Sequence, residues 1–426
     1  MKRFLLVVLD GFGIGAMDDV SAIRPDDIGA NTALHIYNTL PNFKLPTLAS
    51  LGLGNAMLAS EPSTPLPAAL SPAKSCCYGF HNLAHFGADT FWGHQEFMGT
   101  KPKKGETGPI LPKLPEIRSA LEAKGHKVRF YSGDAGGAER EMLQPGILIV
   151  DECVTVGDNL ETDLGNNYNV TAALDLLPFE EVRKIGKIVR SLVKTSRVIV
   201  FGGHGLGLNE LLSAYECKTD YAGVNAPRSG VYRQGYEVIH LGYGVNTEVQ
   251  LPAVLARAGI PTVLIGKAAD IIENPCLSMG EALQGKSISG VDTGEVLSET
   301  IHALNSLEHG FICVNVQETD LAGHREDTRL YGEVLSLADS RIKDIIEKLG
   351  TDDVMVISGD HGNDPTIGHS RHTREKTPIL VWSGKAAAKN SVFLGGRASL
   401  ADTGATAAAF FDALPPESGL SYLGNI

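Results

Sequence analysis

Carboxylate and imidazole side chains recur in three separate segments of the chain, VLDG, ETDLAGHRED and GDHGNDPTIGHSRHTRE. The six potential metal ligands in these segments are Asp10, Asp320, His324, Asp360, His361 and His372. A mixed oxygen and nitrogen set suits Mn, Zn, Fe or Mg, whereas a thiolate set would have indicated structural zinc. Six ligands exceed one tetrahedral site but suit two ions about 3.5–4 Å apart, which stabilise the attacking and the leaving oxygen of a phosphoryl transfer. The segments therefore predict a two-metal phosphoryl enzyme, with ordinary polar loops as the alternative.

Such an enzyme needs a nucleophile, and the segment FGADTFWGHQEFMG offers Thr90 among small and acidic residues. A hydroxyl is a poor nucleophile at neutral pH unless a base or a metal lowers its pKa. Lys267 closes the strand-like run of LIGKAADI and could meet a substrate phosphate as a point charge. The neighbouring His81, His85 and His94 are not expected to be ligands. The alternatives are a turn hydroxyl for Thr90 and a solvated strand-end lysine for Lys267.

Apolar runs of strand length recur along the chain: FLLVVLDG, PTVLIGK, GFICVNVQETD, VMVISGD and PILVWSG. Continuous runs of this kind fit parallel strands buried on both faces, separated by helices such as one over residues 330–349. In open α/β sheets, ligands bind beyond the carboxyl ends of the strands. Asp10, Asp320 and Asp360 each follow such a run, so one crevice could hold all three. A lone acid there is more often a turn former or helix cap, and the coincidence of three favours a site.

The pattern changes between about Gly105 and Gly235, where HKVRFYSGD, GILIVDE and SRVIVFGG predict further strands. A helix-like stretch over residues 172–193 separates two of them. The sequence therefore predicts an α/β fold with two domains. A metal-binding core with a parallel-rich central sheet and flanking helices covers residues 1–104 and 236–426, and a smaller α+β cap domain covers residues 105–235.

Composition narrows the range of partners. A formal net charge of -13 makes broad nucleic-acid binding or anionic-membrane binding unexpected, although local charges could still bind a small phosphorylated substrate. The six cysteines are scattered without a CxxC pair, which is typical of reduced thiols. The apolar stretch after the first residues is too short for a signal peptide, and no run approaches the ~18 apolar residues that span a bilayer. We therefore expect a cytoplasmic protein with no membrane partner, and no pattern indicates its oligomeric state.

At these residues the sequence resembles the phosphopentomutase branch of the alkaline phosphatase-like metalloenzymes. The resemblance rests on VVLDGFGIG, LPTLASLGLGN, GADTFWGHQEFMG, LIGKAADI, DLAGHRED and DHGNDPTIGHSRHTRE, which together cover most of the predicted core. It implies an alkaline phosphatase-like core with an inserted cap. It also implies an intramolecular phosphotransferase that moves phosphate between C1 and C5 of ribose or deoxyribose.

The resemblance further implies a distribution of the ligands. One divalent ion would be held by Asp10, Asp360 and His361, and the other by Asp320, His324 and His372. Thr90 would contact both ions and carry the phosphoryl group as phosphothreonine. The expected ions are Mn²⁺, with Mg²⁺ or Zn²⁺ as alternatives, and a sugar bisphosphate could act as primer.

Several positions depart from the phosphopentomutase pattern. His324 lies four residues after Asp320, a spacing closer to that of cofactor-independent phosphoglycerate mutases, although those use serine as nucleophile. In the predicted cap, Glu152 stands near the position of the family's sugar-contacting aspartate and is therefore a candidate substrate ligand. Phe201 replaces a phosphate-binding arginine, and phenylalanine cannot make the bidentate contact of an arginine with phosphate.

The alternatives therefore remain open. A mutase acting on a pentose phosphate is the first reading, and a mutase acting on another phosphorylated small molecule is a variant of it. A phosphatase or phosphonate hydrolase of the same superfamily is the second. A non-catalytic metal-binding protein with the same fold is the third. A closing cap would favour the mutase because it shields a phosphoenzyme from water.

Overall fold

The computed structural model describes residues 2–133, 144–161, 164–282, 284–385 and 390–426. The strands, in chain order, are β1 (Lys2–Leu9), β2 (Cys77–His81), β3 (Val128–Tyr131), β4 (Ile147–Val150), β5 (Val154–Asp158), β6 (Asn167–Ala173), β7 (Arg197–Gly203), β8 (Tyr215–Lys218), β9 (Tyr221–Val224), β10 (Glu237–Gly242), β11 (Thr262–Ile265), β12 (Lys286–Ile288), β13 (His309–Val316), β14 (Val354–Ser358), β15 (Thr377–Ser383) and β16 (Val392–Arg397). The α-helices are α1 (Val20–Ile23), α2 (Thr32–Thr39), α3 (Pro46–Ser50), α4 (Leu53–Ser60), α5 (Thr90–Phe97), α6 (Leu114–Glu122), α7 (Phe179–Leu192), α8 (Leu208–Ser213), α9 (Ala226–Ser229), α10 (Leu251–Arg257), α11 (Lys267–Ile271), α12 (Thr293–Ser306), α13 (Glu318–His324), α14 (Thr328–Ile346) and α15 (Ala401–Phe410). Short 3-10 helices cover Pro25–Asp27, Leu111–Lys113, Thr247–Val249, Pro275–Ala282 and Leu423–Asn425.

The chain divides into two compact units, a larger one of Met1–Pro102 with Asn246–Ile426 and a smaller one of Lys103–Val245. The larger unit contains an eight-stranded sheet in the order β12-β11-β13-β1-β14-β15-β2-β16. Its first five strands are mutually parallel. The predicted α/β architecture with a parallel-rich central sheet and flanking helices is therefore confirmed for this unit.

Strand β1 shows why its apolar run is continuous. Leu5, Val7 and Leu9 face one apolar cluster, which includes residues of α2, α12 and α14. Phe4 and Val8 face a second cluster on the opposite side of the sheet, which includes residues of α10 and α15. Successive side chains of a strand point to opposite faces, so a strand covered on both faces must be apolar at every position.

Helix α14 lies close to the predicted helix over residues 330–349. Asp327 caps its first turn, since the Asp327 carboxylate accepts a hydrogen bond of 2.9 Å from the Leu330 N–H. Leu335, Ala338 and Ile342 recur at helical spacing and are buried. No helix in the described part of the chain has the combination of length and apolarity required to cross a bilayer.

The orientation predicted for the run PILVWSG was wrong. Strand β15 pairs antiparallel with β14 on one side and with β2 on the other. The sequence of β15 is a continuous apolar run because the strand lies inside the sheet. Burial on both faces gives a continuous apolar run whether a strand is parallel or antiparallel to its neighbours.

The smaller unit has a six-stranded sheet in the order β10-β7-β6-β5-β4-β3, in which only the β6–β7 pair is parallel. The predicted helix over residues 172–193 was wrong at its start. Strand β6 runs to Ala173, and helix α7 begins at Phe179. Because β10 pairs with β7, this unit extends to Val245 rather than ending at residue 235.

Candidate active site

The predicted ligands follow the carboxyl ends of adjacent parallel strands in the larger unit. Asp10 directly follows β1, Asp360 and His361 follow β14, and Asp320 lies in α13 just after β13. Since β13, β1 and β14 are neighbours in the sheet, their carboxyl ends deliver these side chains to one place. The side chain of Asp320 is nearly buried and those of Asp10, Asp360 and His361 are fully buried.

Thr90 lies among the first group of ligands. Its hydroxyl donates to Asp10 Oδ1 over 3.2 Å and lies 2.8 Å from His361 Nε2. His361 Nε2 is also 3.3 Å from Asp10 Oδ1 and 3.6 Å from Asp360 Oδ2. Thr90 is the first residue of α5, and the Asp89 carboxylate caps that helix by accepting a hydrogen bond from the Trp92 N–H. The cap fixes the turn that presents the Thr90 hydroxyl.

Asp320, His324 and His372 form a second group. Residues four apart share one face of a helix, so α13 presents Asp320 and His324 together. His324 Nε2 lies 3.3 Å from Asp320 Oδ2, and His372 Nε2 lies 3.2 Å from Asp320 Oδ1. The rings of His361 and His372 stack at 3.9 Å between centroids, so the two groups adjoin.

Each of the three imidazoles directs Nδ1 to a backbone carbonyl. The partners are the Ser370 carbonyl for His324, the Gly362 carbonyl for His361 and the Ala88 carbonyl for His372. A proton on Nδ1 leaves the Nε2 lone pair free, which is the arrangement that holds a metal-binding histidine in place. His324 Nε2 and His372 Nε2 face each other across 3.0 Å, a separation that calls for a proton or another cation between them.

The electrostatics of the site favour positive charge. Burial alone would lower the pKa of His361, but Asp360, Asp10 and Asp320 raise it to about 10. Burial would raise the pKa of Asp360, but His361 and His94 hold it well below its usual range. The Asp360 carboxylate therefore remains ionised and stabilises a cation placed beside it.

The residues present fit divalent metal ions. Two sets of ligand atoms each lie within 4.8 Å of one another, Asp10 with Asp360 and His361, and Asp320 with His361 and His372. His361 thus belongs to both sets, and His324 joins the second through its contacts with Asp320 and His372. Asp360 Oδ2 is buried with His94 Nδ1 at 3.2 Å, but it receives no aligned hydrogen bond from the described residues, as expected of a ligand atom.

Lys267 lies beside this site, at the start of α11. Its amine is 3.8 Å from Asp10 Oδ2, and its side chain is one-quarter exposed. Burial would lower the pKa of Lys267, but Asp10, Asp320 and Asp360 outweigh burial and raise it. The Lys267 amine is therefore a positive charge close to Asp10, the carboxylate that accepts the hydrogen bond of the Thr90 hydroxyl.

Glu152 belongs to the smaller unit, in the turn between β4 and β5. Asp151 and Glu152 both have positive φ angles, of 49° and 55°, which non-glycine residues rarely adopt. The Glu152 carboxylate is exposed and accepts two hydrogen bonds from Arg129, of 2.6 and 2.8 Å. A substrate contact by Glu152 would therefore compete with Arg129.

Several residues that support the site were not predicted from the sequence. Asn363 donates to Asp320 Oδ1 over 2.8 Å, and the Tyr331 hydroxyl donates to the Gly11 carbonyl over the same distance. The Asn315 amide nitrogen donates to Asp10 Oδ2 and also contacts His94 Nε2. The available signal for Asn315 is a single amide within the apolar run FICVNV, and for His94 a position four residues after Thr90 in a helix.

Comparisons with known proteins identify a family and several relatives. The model of the Metalloenzyme superfamily matches residues 2–414. The chain is 29% identical to a phosphopentomutase of Caldanaerobacter subterraneus over 433 aligned positions, covering 99% of this chain and 98% of that protein. It is also 29% identical to a phosphopentomutase of Acetivibrio thermocellus, with 100% of both chains covered.

Solved structures give looser matches. A phosphoglycerate mutase of Leishmania mexicana superposes with a TM-score of 0.45 at 10% identity, covering 98% of this chain and 97% of that one. The PH0037 protein of Pyrococcus horikoshii superposes with a TM-score of 0.37 at 14% identity, covering 91% of this chain and 88% of that one. The family match spans nearly the whole chain, so this protein belongs to the metalloenzyme superfamily.

Proposed function

We propose that the protein is a metal-dependent phosphomutase that transfers phosphate within a small phosphorylated sugar through a phosphothreonine at Thr90. The observation that carries the proposal is the position of the Thr90 hydroxyl, 3.2 Å from Asp10 Oδ1 and 2.8 Å from His361 Nε2. The relatives named phosphopentomutase, similar over their full length, support the same reaction class.

Two groups of residues hold two divalent ions, and the expected ion is Mn²⁺. The first group is Asp10, Asp360 and His361, and the second is Asp320, His324 and His372. When bound, the ions lower the pKa of the Thr90 hydroxyl and neutralise phosphoryl oxygens. The alternatives Mg²⁺ and Zn²⁺ suit the same oxygen and nitrogen donors.

The residues of the chain account for the rest of the reaction. A phosphoryl group on Thr90 lies at the N-terminus of α5, where the helix dipole favours negative charge. A sugar hydroxyl forms a new bond to that phosphorus while the bond to Thr90 Oγ1 breaks, and the proton of the sugar hydroxyl passes to Thr90 Oγ1, which gives a sugar bisphosphate. Thr90 Oγ1 then attacks the other phosphoryl group, the bond from that phosphorus to the sugar oxygen breaks, that oxygen takes up the threonine proton, and the isomer leaves. A sugar bisphosphate would prime the first turnover.

Positioning of the substrate is assigned to two residues in the proposal. Lys267 contacts a phosphate as a point charge, since its amine already lies near Asp10. Glu152 contacts the sugar after leaving Arg129, and this role remains a prediction. The expected substrate is a small phosphorylated molecule.

One observation favours a substrate other than a pentose phosphate. The Phe201 side chain, which stands where the family pattern has an arginine, is 2% exposed. Its ring stacks on Tyr232 with centroids 6.2 Å apart. Phe201 therefore offers no charge to a substrate phosphate, and another phosphorylated sugar is the second candidate.

Phosphorus NMR tests the reaction directly. Ribose 1-phosphate is incubated with enzyme, Mn²⁺ and a sugar bisphosphate, beside a Thr90→Ala control. Conversion to ribose 5-phosphate that requires Thr90 supports the pentose reading, and an unchanged sugar signal directs the search to other phosphorylated sugars. Release of inorganic phosphate in place of an isomer would favour the phosphatase alternative.

A further inference from the structure

Thr90 and Asp10 belong to a closed ring of hydrogen bonds with Asn315 and His94. The Thr90 hydroxyl donates to Asp10 Oδ1 over 3.2 Å. Asn315 Nδ2 donates to Asp10 Oδ2 over 3.0 Å and lies 3.1 Å from His94 Nε2. His94 Nδ1 lies 3.0 Å from the Thr90 carbonyl oxygen, which closes the ring. The four residues are at most 4% exposed.

The proton inventory of this ring has one consistent solution. An amide nitrogen carries two hydrogens, and Asn315 Nδ2 uses one for Asp10 and one for His94. His94 Nε2 is then an acceptor, so the imidazole proton is on Nδ1, which lies 3.0 Å from the Thr90 carbonyl oxygen and 3.2 Å from Asp360 Oδ2. Because its Nε2 lone pair is occupied by Asn315, His94 is not free to bind a metal although it lies next to the ligands.

The orientation of the Asn315 amide costs free energy elsewhere. Asn315 Oδ1 is buried and has no hydrogen-bond partner among the residues that the structure describes. A buried unpaired acceptor is unfavourable. Turning the amide over would remove the hydrogen bond donated to Asp10 and would place the amide oxygen against the Asp10 carboxylate, which is repulsive. The two hydrogen bonds that Asn315 Nδ2 donates therefore offset the cost of leaving Asn315 Oδ1 unpaired.

We propose that Asn315 and His94 are positioning residues that fix the Thr90 hydroxyl and the Asp10 carboxylate at a set separation for phosphoryl transfer. The inference rests on the proposed function of Thr90. Asn315 is on β13, in register with Val8 of β1, and His94 is one helical turn from Thr90. The pair thus connects the central sheet to the helix that carries the nucleophile, and neither residue touches the substrate in this account.

Two variants and a matched control test the proposal. Asn315→Leu keeps the approximate shape and removes both donated hydrogen bonds, and His94→Phe keeps a ring without nitrogens. Asn274→Leu is the control, because Asn274 is another buried amide of the larger unit that donates two backbone hydrogen bonds, of 3.0 and 3.1 Å. All three variants lose stability, but the control leaves the ring intact.

The first readout is the affinity for Mn²⁺, measured by electron paramagnetic resonance of the free ion. Loss of residues that orient metal ligands typically weakens binding about 10- to 100-fold. We expect a loss of that size for Asn315→Leu and His94→Phe, and none for Asn274→Leu. If Asn315→Leu does not fold, His94→Phe decides the test.

The second readout is the rate of Thr90 phosphorylation at saturating Mn²⁺. Misplacement of the nucleophile should lower the maximal rate about 10- to 100-fold and leave the concentration dependence on the phosphate donor unchanged. Variants that match the control in both readouts would overturn the inference. If the wild-type protein is never phosphorylated, the proposed function fails, and the Mn²⁺ affinities alone decide whether the ring positions Asp10.

Discussion

Replacing Gly93 by alanine should separate the stability of the fold from the geometry of the site. Gly93 lies inside α5, three residues after Thr90, with its α-carbon against the strand end that carries Asp360. A Cβ at Gly93 would lie 2.7 Å from the Asp360 carbonyl oxygen and 2.8 Å from the Asp360 Cβ. Non-bonded heavy atoms prefer ~3.5 Å, so α5 and the strand end must separate by several tenths of an ångström.

Two opposing effects set the stability of Gly93→Ala. Alanine is favoured over glycine inside a helix by about 1 kcal/mol. Overpacking against backbone atoms costs about 1–3 kcal/mol. The expected loss in free energy of unfolding is therefore small, at about 0–2 kcal/mol. The site should suffer more, because a displacement of about 1 Å can lower a rate 10²-fold.

The assay compares Gly93→Ala with Gly54→Ala. A Cβ at Gly54, in α4, would also approach backbone, at 3.1 Å from the Ser71 carbonyl oxygen, but away from the ligands. Urea denaturation gives the stability of both, and Mn²⁺ binding and Thr90 phosphorylation give the state of the site. We expect the site readouts to fall only for Gly93→Ala. Normal metal binding and phosphorylation in that variant would refute the idea that the α5–Asp360 contact sets the position of Thr90.

Three further predictions concern stability and metal. Burial lowers the pKa of His81 to about 3 from the ordinary 6.5, so the unfolded state binds an extra proton between these values. The free energy of unfolding should therefore hold above pH 6.5 and fall by ~2 kcal/mol at pH 5, and a His81→Gln variant with the same pH slope would contradict this. Asp353→Ala leaves the buried Arg3 guanidinium without its ion-pair partner and should cost ~3–5 kcal/mol in urea denaturation, whereas loss of the exposed Arg329–Glu333 pair should have no measurable effect. Removal of divalent ions by a chelator should lower the melting temperature, and re-addition of Mn²⁺ should restore it; an unchanged melting temperature would contradict metal binding by the folded protein.

The parts of the site that follow from the sequence are those carried by strand ends. Asp10 and Asp360 come directly after β-branched apolar runs, and parallel strands bring such residues to one edge of a sheet. His324 could be placed beside Asp320 because the two positions are four apart, which brings them to one face of a helix. These features depend on the spacing of residues close together in the chain, which can be seen in the sequence.

The parts that did not follow depend on pairing between distant segments. Strand β15 shares its apolar run with parallel strands, so its antiparallel direction is set by its partners β14 and β2. The predicted helix over residues 172–193 included the last two residues of β6, Ala172 and Ala173, because small apolar residues suit a helix as well as a buried strand, and only pairing with β5 and β7 identifies them as strand. The role of Asn315 could not be predicted either, because only the fold shows that its amide donates to Asp10.

Phosphopeptide mass spectrometry determines whether Thr90 carries the transferred phosphate. The Mn²⁺-loaded protein is incubated with a sugar bisphosphate, digested and mapped, beside Thr90→Ala. We expect a phosphate on Thr90 in the wild-type protein and none in the variant. A protein that binds Mn²⁺ but carries phosphate on another residue, or on none, would contradict this expectation.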